Sequence, residues 1–163
     1  MSRTWCRASI FQWSRTSSAR LTSRRRSALL TGATDQALAR QIIASQTGEI
    51  TQMTGWLHTW YGVTPAQAQH RAPAGVRRLS ATMGTEMNTM TKQLATVPRG
   101  SRFDQAFLTG MIAHHKMAVI EARTVAGRAD HPQLTALARQ IVASQTGEIT
   151  QMTGWLHTWY GGS

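Results

Sequence analysis

Cys6 is the only cysteine in this chain of 163 residues, which rules out an internal disulfide and any zinc site built on cysteine pairs. Proline is limited to four residues and aromatics to 7%. No apolar run approaches the length of about 18 residues that a membrane-spanning helix needs, so no transmembrane segment is expected. There is no GxSxG, no phosphate-binding loop, and no GxGxxG following a strand, which leaves nucleophilic, nucleotide-dependent and dinucleotide-dependent catalysis without support. The chain is not expected to be an enzyme. With 41% hydrophobic residues, it is long enough for one small domain and too short for a second independent core.

Acid is scarce as well, with seven Asp and Glu against 18 Lys and Arg and a net charge of +11. That surplus resembles a nucleic-acid signal until it is located. Residues 1–34 hold seven Arg and no acid, while residues 35–163 hold eleven basic residues and all seven acids. The body is only mildly basic, and nucleic acid is not the expected partner. The first 30 residues scatter Trp5, Ile10, Phe11 and Trp13 among Ser and Arg without a sustained period. Three readings of them stand open: a disordered basic arm, an Arg- and Ser-rich transit-like segment, or out-of-frame translation. They contain no hydrophobic stretch of the kind a secretory signal requires.

What the chain does contain is an internal repeat. Residues 37–62 and 136–161 are identical except for Ile43 in place of Val142, at an offset of 99. That period is too long for a solenoid, so a duplicated helical hairpin is expected. In the second copy Leu134, Leu137, Ile141, Glu148, Met152, Trp155 and Trp159 fall within about 40° of one helix face. Asp130 is placed to cap this helix and Pro132 suits its first turn, with Gly161 and Gly162 ending it. The first copy starts near Thr34 or Asp35 and stops at Gly62. Gly147 and Gly154, seven apart on one edge, read as points where a neighbouring helix comes close.

A second long helix is predicted from Ser101 to about Ala126, with Ser101 and Asp104 as a capping-box-like start. Asp104, Phe107, Met111, His115, Ala118, Ala122 and Val125 share its inward stripe within about 40°, and His114 sits at its edge. A shorter helix over residues 80–95 carries Met83, Met87 and Met90, which read as core filler. The organisation is therefore a basic arm (1–34), a first-repeat helix (35–62), a linker (63–79), and a helix plus helical hairpin (80–161).

The chemistry-bearing residues are Met111, His114 and His115 on one helix, and Gln145, Glu148 and Met152 on the next. Pairing the two stripes offers imidazole, thioether and one carboxylate in a mostly dry seam. Sulfur with imidazole suits Cu(I), and imidazole also accepts Cu(II) or Zn(II). Adjacent histidines on a helix diverge by about 100°, so His114 and His115 do not both aim at one central ion unaided. A carboxylate-bridged di-iron centre needs a Glu three residues before each His. Met111 and Ile112 stand there instead. The competing structural reading makes His114 and His115 a satisfied core pair and Asp104 a helix cap. It leaves His58 and His157 in solvent, and it has the Trp56–Trp60 and Trp155–Trp159 pairs closing one end of the bundle. Glu148, like its copy Glu49, is harder to dismiss: a carboxylate centred on an apolar stripe must be paired, protonated or bound to a cation.

Phe103-Asp104-Gln105-Ala106-Phe107-Leu108, then Met111-Ile112-Ala113-His114-His115 and Ala118, resembles the domain-of-unknown-function 305 family. His131-Pro132, Leu137-Ala138, Gln145, Glu148-Ile149, Met152 and Trp155-Leu156 extend the resemblance. It covers residues 80–161 well, and residues 35–62 resemble the second helix of the family's first hairpin. The resemblance implies an all-α, ferritin-like four-helix bundle made of two hairpins. It also implies an exported bacterial protein, periplasmic or extracellular, in a family some of whose members are associated with copper. Two departures stand out. Glu121 occupies a position where the family often has Met, and residues 1–30 contain no His, although the family's first hairpin begins on a His-containing helix. A frameshift near residues 24–27 would account for that loss and for the missing export signal, and the first hairpin is degenerate at its N-terminal helix as written.

The expectation is a non-catalytic bundle that binds one transition-metal ion tightly, copper first, with Met111, His114, His115, Glu148 and Met152 as the candidate ligand set. Gln46, Glu49 and Met53 have no histidine-bearing partner helix in their own half, so the first copy is expected to form no tight site. A structural or interaction module is the alternative, and binding of nucleic acid or an anionic membrane through the arm is a third. A homo-oligomer is also left open.

Overall fold

The computed structural model describes residues 32–161, all of it helix and connection with no strand. The readings of the basic arm lie outside these residues, as does that of the Met83 side chain. Five helices follow in order: α1 (Ala33–Tyr61), α2 (Pro65–His70), α3 (Ala74–Thr96), α4 (Ser101–Ala126) and α5 (Pro132–Tyr160). Proline marks their boundaries, because it has no N–H to give and clashes with the preceding turn inside a helix. Pro65 and Pro132 occupy first-turn positions, Pro73 caps α3, and Pro98 lies in the α3–α4 connection. α1 stops at Gly62, whose φ of 61° lets its N–H reach back to the carbonyls of Leu57 and His58, a left-handed end that favours glycine.

Some local expectations are corrected. The segment expected to be a linker contains α2, started by a capping box. There the Thr64 hydroxyl accepts from the Gln67 N–H at 3.3 Å, and the Thr64 N–H donates to Gln67 Oε1 at 2.9 Å. α3 also begins at Ala74 rather than at residue 80. Neither Asp104 nor Asp130 caps: the cap positions are Gly100 and His131, and neither helix start has a side-chain cap hydrogen bond. Among the described residues a Cβ added at Gly147 or Gly154 would meet nothing within 4 Å, so no described helix approaches closely there.

Two apolar clusters fill the bundle from opposite ends. One joins Met53 and Leu57 of α1 to Ala118, Ala122 and Val125 of α4 and to Leu134, Leu137, Ala138 and Ile141 of α5. The other joins Leu38 and Ile42 of α1 to Met87 and Leu94 of α3, Phe103, Phe107, Leu108 and Met111 of α4, and Met152 of α5. α1 therefore runs antiparallel to α5, although the two carry the same sequence. The tryptophan pairs do not close one end together. Trp56 and Trp60 pack on the first cluster and Trp155 on the second. Each pair is stacked, with centroids 4.9 Å and 5.1 Å apart. Trp60 also stacks on His131 at 3.9 Å.

Candidate metal centre

α4 and α5 form the tightest pair, joined by the short connection over residues 127–131. Apolar residues three and four apart make one face of each helix continuous. On α4 that face is Phe103, Phe107, Met111, Ala118 and Ala122, with His115 in the middle; on α5 it is Leu134, Leu137, Ile141 and Met152, with Gln145 and Glu148 between them. Polar residues therefore meet where the two apolar clusters adjoin.

His115 Nε2 lies 2.8 Å from Glu148 Oε2. The histidine is wholly buried, whereas the Glu148 side chain keeps 11% exposure, so the seam opens to solvent on the carboxylate side. An ionised carboxylate has no hydrogen to give, so Nε2–H donates to it and the in-plane lone pair of a neutral ring is left on Nδ1. Nδ1 is buried and has no hydrogen-bond partner among the described residues, and the same holds for Gln145 Oε1. Met111 and Met152, one turn from His115 and Glu148 respectively, are both fully buried in the same apolar cluster.

Four of the residues singled out from the sequence are thus gathered in one seam: Met111, His115, Glu148 and Met152. His114 is not among them. Its ring stands 5.8 Å from that of His115 at an interplanar angle of 64°, and it lines a groove between α3 and α4 instead. Asp104 is buried on the inward face without acting as a cap. His58 and His157 are exposed. Among the described residues no three His, Cys, Asp or Glu side chains gather as a metal-binding group; the further donors on these faces are the thioethers of Met111 and Met152 and the amide oxygen of Gln145. Periodicity did not reveal the α3–α4 groove, although the spacing Gly110, His114, Met117 carried its signal.

The chemistry open to the seam follows from its donors. A carboxylate that fixes one imidazole nitrogen and leaves the other as a bare, buried lone pair is the arrangement that holds histidine as a metal ligand. The thioethers of Met111 and Met152, buried one turn along α4 and α5 from His115 and Glu148, are soft donors in the same seam. A sequence model of the family described as Domain of unknown function (DUF305) matches residues 30–161. The chain belongs to this family. Among solved structures it is similar to CopM in the Cu(I)-bound form, with 28% identity, a TM-score of 0.73, and coverage of 96% of this chain and 99% of that one. CopM in the Cu(II)-bound form is 26% identical with a TM-score of 0.70, covering 94% and 98%. CopM in the apo form is 26% identical with a TM-score of 0.61, covering 96% and 93%. The chain is also similar to "Uncharacterized protein L153" of Acanthamoeba polyphaga mimivirus, 39% identical over 49 residues. That match spans 30% of this chain and 32% of the viral protein, about a third of that relative's length. No helix among the described residues is long and apolar enough to cross a membrane.

Proposed function

We propose that this DUF305 protein binds copper, as Cu(I) in preference to Cu(II), in the seam between α4 and α5, and that it holds the ion rather than turning over a substrate. His115 supplies imidazole nitrogen and Met111 and Met152 supply sulfur, while Glu148 orients the ring and carries the compensating charge. The observation that carries the reading is the buried Nδ1 of His115, which has no partner among the described residues while its Nε2 is tied to Glu148. Charge and softness favour the same oxidation state. One carboxylate balances a monovalent ion in a dry seam, whereas a divalent ion would leave a positive charge uncompensated. The likeness to copper-bound CopM supports the metal class. A role in metal homeostasis outside the cytoplasm, in the periplasm or beyond, fits the resemblance read from the sequence.

The test is titration of the purified full chain with Cu(I) under a competing chelator, reading the equivalent bound at this seam. His115→Ala should weaken that equivalent by at least about tenfold, the scale on which even residues supporting a metal ligand act. A parent protein that loses all its copper to the chelator would leave His115 and Glu148 as a structural pair that satisfies the core.

A further inference from the structure

Leu94 of α3 and Phe103 of α4 are buried, and none of the residues 95–102 between them is, with Pro98 and Arg99 exposed at the centre. The stretch reads Val97-Pro98-Arg99-Gly100-Ser101. Proline fixes its own φ and pushes the residue before it out of the helical region. Val97 accordingly ends α3 in an extended conformation, at φ −78° and ψ 130°. The flanking helix ends are loosely closed. α1, α2, α4 and α5 each finish with a cap N–H turned back to a carbonyl, whereas among the described residues no backbone hydrogen bond holds Val97, Pro98 or Arg99, and α4 starts without a side-chain cap. An endopeptidase takes its substrate as an extended strand, so a bond inside a helix must unfold locally before it is cut, and nicks concentrate at exposed connections. Every other Lys or Arg among the described residues lies within a helix, except Arg71 and Arg128. Those two are held. Arg71 and Ala72 donate to the Gln67 and Gln69 carbonyls, the Ala72 carbonyl accepts from Arg77, and Arg128 and Ala129 both donate to the Val125 carbonyl.

We infer that the Arg99–Gly100 bond is a processing site for a serine endopeptidase of the trypsin class, one that takes arginine in a carboxylate-bearing specificity pocket and proline at the position before it. Arg99 offers an exposed guanidinium, Pro98 holds the preceding backbone extended, and Gly100, at φ 107°, adds no side chain beside the scissile carbonyl. The step is hydrolysis: the C–N bond between Arg99 and Gly100 breaks, the oxygen of one water ends on the Arg99 carbonyl carbon as a carboxylate, and the Gly100 nitrogen leaves as an amine that takes up the water's protons. The cut falls between the two copies of the repeat, so fragments 1–99 and 100–163 carry one each, residues 37–62 and 136–161. Both apolar clusters join residues from the two sides of the cut, and this shared burial keeps the halves assembled after cleavage. His115 and Glu148 both lie beyond the cut, and the site owes nothing to a metal bound there.

The test exposes the full chain, folded, to low concentrations of two proteases and follows the fragments in time by intact-mass spectrometry. Trypsin accepts any Lys or Arg, so its first cut reports the fold; thrombin prefers proline before arginine, so its cut reports the fit. With both, the first cut among residues 32–161 should release the fragment 100–163. Cuts within residues 1–31 shorten the other fragment and leave this one unchanged. Arg99→Gln, at an exposed position, should abolish the fragment with both proteases. Pro98→Ala should slow thrombin by about tenfold, the scale of one group lost from an apolar pocket, while trypsin continues to cut there. A first tryptic cut at another basic residue of 32–161 would overturn the inference, as would a folded chain that resists both proteases at concentrations that digest the urea-unfolded chain. Cutting at Arg99 by trypsin with none by thrombin would overturn the preference for proline. The nicked protein should elute from a sizing column with the intact one and separate in urea, and halves that part without denaturant would overturn their continued assembly.

Discussion

A carboxylate inside an apolar seam persists by pairing, by protonation or by holding a cation, and Glu148 is paired with His115 at 2.8 Å. That bond sets what each substitution should do in the metal-free protein. Glu148→Ala removes the acceptor of a buried N–H and leaves a small void, at a cost of about 2–3 kcal/mol. Glu148→Gln keeps an oxygen that accepts the same hydrogen and should cost about 1 kcal/mol or less. Urea denaturation of both variants checks this, and equal losses would mean that the charge of Glu148, not its hydrogen bond, secures the pair. The burial of Glu148 was legible from its place on the α5 stripe. Its partner was not, because a period of 3.6 residues assigns a side chain to a face but gives no register between two faces. Asp104 makes the same point in reverse: its inward position was legible, and its capping role failed because Gly100 occupies the cap.

Helices were legible wherever a long stripe met a clear boundary. α4 and α5 lie within a residue or so of expectation, since Gly62, Gly127, Pro132 and Gly161 punctuate the chain where turns are needed. α2 was missed because a six-residue helix has too few turns to show a period, and its only local sign is the pairing of Thr64 with Gln67. Glycines inside the helices read ambiguously from sequence, since the same residue serves close packing or merely weakens a helix. Space around them separates the two cases. Among the described residues Gly147 and Gly154 have nothing within 4 Å of an added Cβ, so Gly147→Ala and Gly154→Ala should each raise stability by about 0.5–1 kcal/mol, the difference in helix propensity. Thermal and urea melts of the two single variants and the double measure it. A loss of stability at either position would show a close neighbour that the fold does not place there.

At the scale of the whole molecule, one sequence occurs twice and is asked to do two things. The copies in α1 and α5 run in opposite directions, so Trp56 and Trp60 pack on one apolar cluster and Trp155 on the other, while Trp159, on the inward stripe by period alone, is exposed. Gln46 and Gln145 are equally buried, at 3% exposure each, and Met53 and Met152 are both inside. The carboxylates are where the copies part: Glu148 is buried on His115, whereas Glu49 is only half-buried. Identical residues acquire different environments because the histidines stand on α4, whose full length packs on α5. A fold made by duplication thus yields one His–Glu seam instead of two, and no reading of either copy alone could have said which. The consequence is measurable with Cu(I) under a competing chelator. Glu148→Ala should weaken the seam's equivalent by about 10–100-fold through loss of the group that orients His115, while Glu49→Ala should leave it unchanged within the error of the titration. Because the two substitutions delete the same side chain from the same local sequence, helix propensity and net charge change alike in both, and any difference isolates the partner helix. Equal losses would instead mean that α1 and α5 contribute jointly to a single centre spanning the bundle, with Glu49 a second carboxylate acting on the same ion.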